Sequence, residues 1–167
     1  MEPDVSFVPM MVRRRLSMVE RAALHVSWNV FNPKEGESVP SCLPEMGSVP
    51  VVFASRWGEI GTTLKLMRQL HFEGEMSPAA FSSSVHNAAP GAWSLFAGNK
   101  SPYTAIAARE RTYEMGLLEA EAQLAAGVAD AILFVYAEES TPAYYHSAFG
   151  KAERAHAIAI LLAAERE

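Results

Sequence analysis

Seven consecutive apolar residues, AILFVYA at 131–137, constrain this chain more than any other feature. A half-exposed strand alternates apolar and polar residues, whereas an unbroken apolar run of this kind suits a strand covered on both faces. Such a strand needs helices above and below its sheet, so the run predicts an α/β layered domain. PVVFAS at 50–55 reads as a second short strand, and residues 102–108 as a third. HAIAILLAA at 156–164 reads as a last strand on its aliphatic centre, with helix as the alternative that its alanines leave open.

Helical stretches surround these strands. Val12, Leu16, Val19, Ala23, Val26 and Val30 recur at steps of three and four, which predicts one amphipathic helix over 9–30. Asn32-Pro33 stops it, because proline disfavours a helical residue before itself. Three prolines and two glycines make 33–49 a surface loop. Helical spacing returns from Trp57 to His71, and Ser77-Pro78 signals another helix start. Two short helices are expected to break near Val85–Asn87, with Asn87 as the second cap and Pro90 in the first turn. Residues 110–126 carry Tyr113, Leu117, Ala120 and Leu124 on one face and Met115, Leu118, Ala122 and Ala125 on another, so this helix is expected to be buried nearly all round. Gly127 ends it.

Composition excludes several function classes. The 167 residues suffice for one domain, 1–167, with a real core. A net charge of −5 gives no electrostatic reason to bind nucleic acid, and RRRLS at 13–17 is a single solvated turn of helix. The lone Cys42 excludes an internal disulfide framework and a multi-cysteine zinc site. The segment MEPDVSFVPMM lacks the basic and apolar regions of a signal peptide, and 129–137 and 157–163 are too short to span a bilayer as helices. These features predict a cytoplasmic protein without membrane insertion.

No motif announces a reaction. His86, in SSSVHN, is a candidate general base and Ser82–Ser84 candidate nucleophiles, but no G-x-S-x-G elbow surrounds them and no nearby aspartate orients the imidazole. The plainer reading has Asn87 capping a helix and His86 satisfying backbone at the break. The histidines at 25, 71, 86, 146 and 156 never form an i, i+4 pair, so nothing in the sequence asks for a metal. Cys42 has no cationic neighbour or helix start to lower its pKa. Gly58 and Gly61 have the wrong spacing for a phosphate loop, and no cofactor is expected. What remains is SPYTAIAARERTYEMGLLEA at 101–120, a strand, a polar turn and a long helix. A helix start beneath a tight turn stabilises a thiolate or oxyanion, yet here it offers Glu110, flanked by Arg109 and Arg111.

The order of these elements resembles the N-terminal half of β-ketoacyl synthases, and more narrowly the β-ketoacyl synthase-like N-terminal domain family. Members include chain-length-factor-like proteins of aryl polyene and related lipid gene clusters. RRRLS, VFASRWGE, FSSSVHNAAPGAWS and the alanine-rich elbow carry the resemblance, which covers about residues 9–164. It implies a thiolase-like half-domain: a mixed sheet of about four to five strands packed with helices around one nearly buried central helix. It places Pro102 at the family's Gly-Pro, and Asn87 and Gly91 at a structural Asn and Gly. The catalytic cysteine position falls at Glu110, to within about one residue. The family's first strand is expected to be absent or reduced to 1–8, and its two active-site histidines belong to a C-terminal half outside this sequence.

Claisen condensation needs a thiolate to hold the acyl chain and histidines to stabilise the malonyl-derived anion. The resemblance therefore implies no autonomous condensing activity. It implies a subunit that pairs with an active ketosynthase, or with itself, through Tyr103, Thr104, Ala105, Ile106, Ala107 and Ala108, with acyl carrier protein as a further partner. The alternative is a small enzyme acting on acyl thioesters with Glu110 or His86 as base, since a glutamine at the cysteine position of related ketosynthases accompanies decarboxylation.

Overall fold

The apolar run lies in the middle of the sheet. The computed structural model describes residues 2–34, 43–149 and 154–164. Its strands are β1 (Val51–Ala54), β2 (Tyr103–Ile106), β3 (Ala131–Glu138) and β4 (His156–Ala163), in the spatial order β2-β1-β3-β4. β1 pairs in parallel with both β2 and β3, and β4 closes the other side antiparallel to β3, with Phe134 opposite Ile160. The helices are α1 (Met10–Arg13), α2 (Met18–Phe31), α3 (Ile60–Glu73), α4 (Pro78–Ser82), α5 (Ala88–Ala97), α6 (Thr112–Ala125) and α7 (His146–Phe149). None is long and apolar enough to cross a membrane among the described residues.

Side-chain alternation explains the unbroken hydrophobicity of β3. Val51, Phe53, Leu133, Val135 and Ala137 face one way, against Val19, Ala23 and Leu24 of α2 and Ala89 and Trp93 of α5. Val52, Ala54, Ile132 and Phe134 face the other way, against Ala120 of α6 with Tyr113, Leu117 and Leu124 around it. The alanine-rich run at 156–164 is a strand because the same alternation serves both cores: Ala157, Ala159 and Leu161 on one face, Ile160 and Leu162 on the other. Residues 2–8 contain no strand, but Val5 and Val8 are buried in the first core and Phe7 stacks on Trp28 at 4.5 Å.

Two sequence-based expectations need correction. The helix expected over 9–30 is broken after Arg13 and restarts at Met18. Ser17 accepts the Glu20 N–H while the Glu20 carboxylate accepts the Ser17 N–H, a reciprocal cap that starts a new helix. The signal, S-x-x-E at 17–20, stood in the sequence beneath the stronger apolar period. The second correction concerns α6, which is not buried nearly all round. Thr112, Gly116 and Ala120 are buried, but Leu118 is 54% exposed and Ala122 and Ala125 are also open. Apolar residues on a second face do not bring a partner layer with them, and one sheet covers only one face. Cys42 lies outside the described residues.

Candidate functional site

The three parallel strands end at the same edge, so the segments after β1, β2 and β3 gather there, at the position where α/β sheets place their ligands. Glu138, the last residue of β3, is 5% exposed and turns its carboxylate onto the segment after β1. It accepts the Arg56 N–H, the Trp57 N–H at 3.4 Å and the Ser55 Oγ–H at 3.3 Å. Burial pushes its pKa up, against the lowering effect of these donors. Ser55 Oγ in turn accepts the Gly58 N–H at 2.8 Å. Gly58 has φ +53, and a Cβ there would come within 2.9 Å of His86 Cδ2, so the turn needs glycine twice over.

The elbow after β2 is held by one hydroxyl. Thr112, 1% exposed, donates Oγ1–H to the Arg109 carbonyl at 2.7 Å and accepts the Ala108 N–H at 2.9 Å. Among the described residues, Arg109 is the one non-glycine with a positive φ, +54. A non-glycine residue held at positive φ is strained, and this one sits in the turn between β2 and α6, one residue before Glu110. Arg109, Glu110 and Arg111 are all exposed. Glu110 Oε1 pairs with Arg56 Nη2 at 2.7 Å, and the Arg56 guanidinium lies 4.5 Å over the Trp57 ring. Relieving the strain with Arg109→Gly is expected to raise unfolding free energy by roughly 0.5 kcal/mol, the left-handed penalty removed less glycine's added chain entropy. Urea denaturation checks the sign.

His86 and Glu110 thus meet the same turn, 55–58, but at different residues of it. His86 Nε2–H donates to the Ser55 carbonyl at 2.7 Å, and its ring sits edge-on to Phe53. It satisfies a backbone carbonyl, in the turn after β1 and not at the helix break where the sequence placed that role. The Ser82, Ser83 and Ser84 hydroxyls all donate to carbonyls three residues back. Asn87 occupies the N-cap position of α5, but its side chain makes no capping bond. Its Nδ2 donates instead to the Tyr103 hydroxyl at 3.1 Å, so the expected cap is corrected to a tie between α5 and β2. Among the described residues no group of three or more potential ligands stands together for a metal.

Beside Tyr103 runs an open apolar groove of about 1050 Å³. Phe7, Met11, Leu16, Val85 and Leu95 line it, and Gly91 forms part of its floor, with nothing within 4 Å of where a Cβ would stand.

Residues 1–167 match the family described as β-ketoacyl synthase, N-terminal domain. The chain belongs to that family. Its mixed sheet and helices form the thiolase-like ketosynthase half-domain. Among solved structures, it is similar to a chain in the complex of a ketosynthase (ApeO) with its chain length factor (ApeC) from Xenorhabdus doucetiae. That likeness has 25% identity and a TM-score of 0.79, over 97% of this chain and 63% of the other. The ishigamide ketosynthase/chain length factor gives 18% identity and a TM-score of 0.73, over 92% of this chain and 45% of that one. A β-ketoacyl synthase from Burkholderia phymatum gives 16% identity and 0.67, over 88% and 36%. The chain therefore spans less than two thirds of these relatives. No curated protein matches significantly.

Within this family frame, the contacts that sequence reasoning missed are those of Arg56, Thr112 and Glu138. Arg56 and Glu138 act on segments that no local spacing connects to them, whereas Thr112 acts within its own turn, on Ala108 and Arg109.

Proposed function

We propose that this chain is a non-catalytic, chain-length-factor-like subunit that pairs with an active β-ketoacyl synthase in fatty acid or polyene, polyketide-type biosynthesis. The observation that carries the reading is the position of β2. It is one of the sheet's two edge strands, and among the described residues it bonds to β1 only. Pro102 and Ile106 accept bonds from Val51 of β1 and from Ser55 just after it, so the peptide groups of Tyr103 and Ala105 point outward. An edge strand without charge is a template for a partner strand. The elbow supports the same reading, because it keeps its strained backbone and its Thr112 stitch while presenting arginine and glutamate in place of a thiol. Tyr103 also lines the groove, which on this reading supplies part of the wall that limits acyl length. Acyl carrier protein is the expected donor, a copy of this chain the alternative partner, and the cytoplasm the expected compartment.

Co-expression with the cognate ketosynthase is expected to give a stable heterodimer on size-exclusion chromatography. Ala105→Pro removes an outward N–H while leaving the β1 ladder intact. It is expected to weaken the complex by at least about tenfold in Kd, because a lost ladder bond and a misfitted ring together exceed 1.4 kcal/mol. A chain that stays monomeric beside its ketosynthase, or a complex indifferent to Ala105→Pro, rules the strand-pairing reading out.

A further inference from the structure

The sheet's second edge strand is the longer one. β4 runs for eight residues against four for β2, and among the described residues it bonds to β3 alone. The Ala164 N–H donates to the Asp130 carbonyl at 3.0 Å, which fixes the phase of the antiparallel ladder. Ile158, Ile160 and Leu162 therefore turn their N–H and C=O groups toward Tyr136, Phe134 and Ile132. Ala157, Ala159, Leu161 and Ala163 turn theirs away from the sheet, and no described residue bonds to them.

Proteins blunt such an edge with charge, proline, a bulge or shortness. From His156 to Ala164 there is no lysine, arginine, aspartate, glutamate or proline, and the register with β3 runs without a bulge. On the α2 side, Ala157, Ala159 and Leu161 pack into the first core. On the α6 side, Ile160 and Leu162 pack into the second, but Ile158 is 42% exposed.

What fits this edge follows from reading the strand backwards. Set antiparallel to itself about a two-fold axis through Ile160, it opposes Ala157 to Ala163, Ile158 to Leu162, Ala159 to Leu161 and Ile160 to its own copy. Every opposed pair is apolar, and the four outward-turned residues of one copy meet the four of the other, so all their backbone groups find partners. An axis at Ala159 or Leu161 leaves one of the four without a counterpart in the strand. We propose that β4 is the docking strand for a second copy of this chain, joined edge to edge about that axis so that two four-stranded sheets become one. A β2 strand stays free at each end, so this contact is independent of the pairing proposed for β2.

The test is sedimentation equilibrium of the full chain alone, with amide hydrogen exchange measured above and below its dissociation. The chain is expected to dimerise, with the Ala157, Ala159, Leu161 and Ala163 amides protected in the dimer and released on dilution. The Ile158, Ile160 and Leu162 amides, bonded to β3, should stay protected throughout. Ala159→Pro removes an outward N–H and leaves the β3 ladder intact. Symmetry repeats the loss in both copies, so the dimer Kd is expected to rise at least about tenfold. Ile158→Lys sets a charge opposite Leu162 of the second copy and is expected to do the same. Ala105→Pro, at the other edge, should leave the dimer unchanged. A chain that is monomeric at roughly 100 μM overturns the proposal, as does a dimer broken by Ala105→Pro but not by Ala159→Pro. Outward amides that exchange freely in the dimer overturn it even if neither β4 variant folds. Protection that survives dilution to the monomer does the same, because another part of the chain then covers the edge.

Discussion

Gly116→Val is expected to destabilise the protein by roughly 3 kcal/mol, the upper end of overpacking costs. Gly116 is buried where α6 crosses the sheet, and any Cβ there would lie 2.6 Å from Ala54 Cβ and 2.8 Å from Phe134 Cε2. Neither neighbour can yield easily, since Ala54 is on a central strand and Phe134 is fully buried. The helix must lift, opening the second core. Gly116→Ala should cost less, because alanine recovers about 1 kcal/mol of helix propensity against the clash. Urea denaturation of the glycine, alanine and valine forms should show midpoints falling in that order. Equal midpoints would mean that α6 does not approach the sheet this closely.

Glu138→Ala should rank next, at roughly 2 to 3 kcal/mol, because removing an acceptor leaves buried donors to bear their own desolvation. The Arg56 and Trp57 amides and the Ser55 hydroxyl all lose their partner. Glu138→Gln keeps one acceptor oxygen and sheds a buried charge, so it should lose about half as much. The alanine variant should also free Arg56 from its place over Trp57 and against Glu110, a change that tryptophan fluorescence reports. A Glu138→Ala protein as stable as wild type would show that solvent replaces the carboxylate.

The fold was largely legible because its signals are local. AILFVYA demanded cover on two sides, and Ser77-Pro78 began a helix where serine does accept the Ala80 N–H. The misreadings arose where two local signals competed or where cover had to come from elsewhere. At 13–17 the apolar period ran through a helix cap, and on α6 a second apolar face met no second layer. The site was legible only as a place. The elbow could be read, but its strain at Arg109 could not, because nothing about arginine favours a positive φ. Arg56 and Glu138 find partners in Glu110 and the turn after β1, which strand order brings together, and Glu59 meets Ser17 where α2 and α3 begin.

That strand order also sets how the chain must assemble. β3 and β4 form an antiparallel pair close in sequence, able to zip together early. β1, buried at all four residues, pairs with strands that begin at Tyr103 and Ala131, so it stays without a partner until one of those distant segments reaches it. Such long-range parallel pairing is slow, and it leaves VVFA without cover in the interval. β2 joins the sheet through β1, so the offered edge exists only once that long-range parallel pairing has formed. Refolding should therefore be slow and prone to aggregation, with yields that depend on how soon that edge is covered.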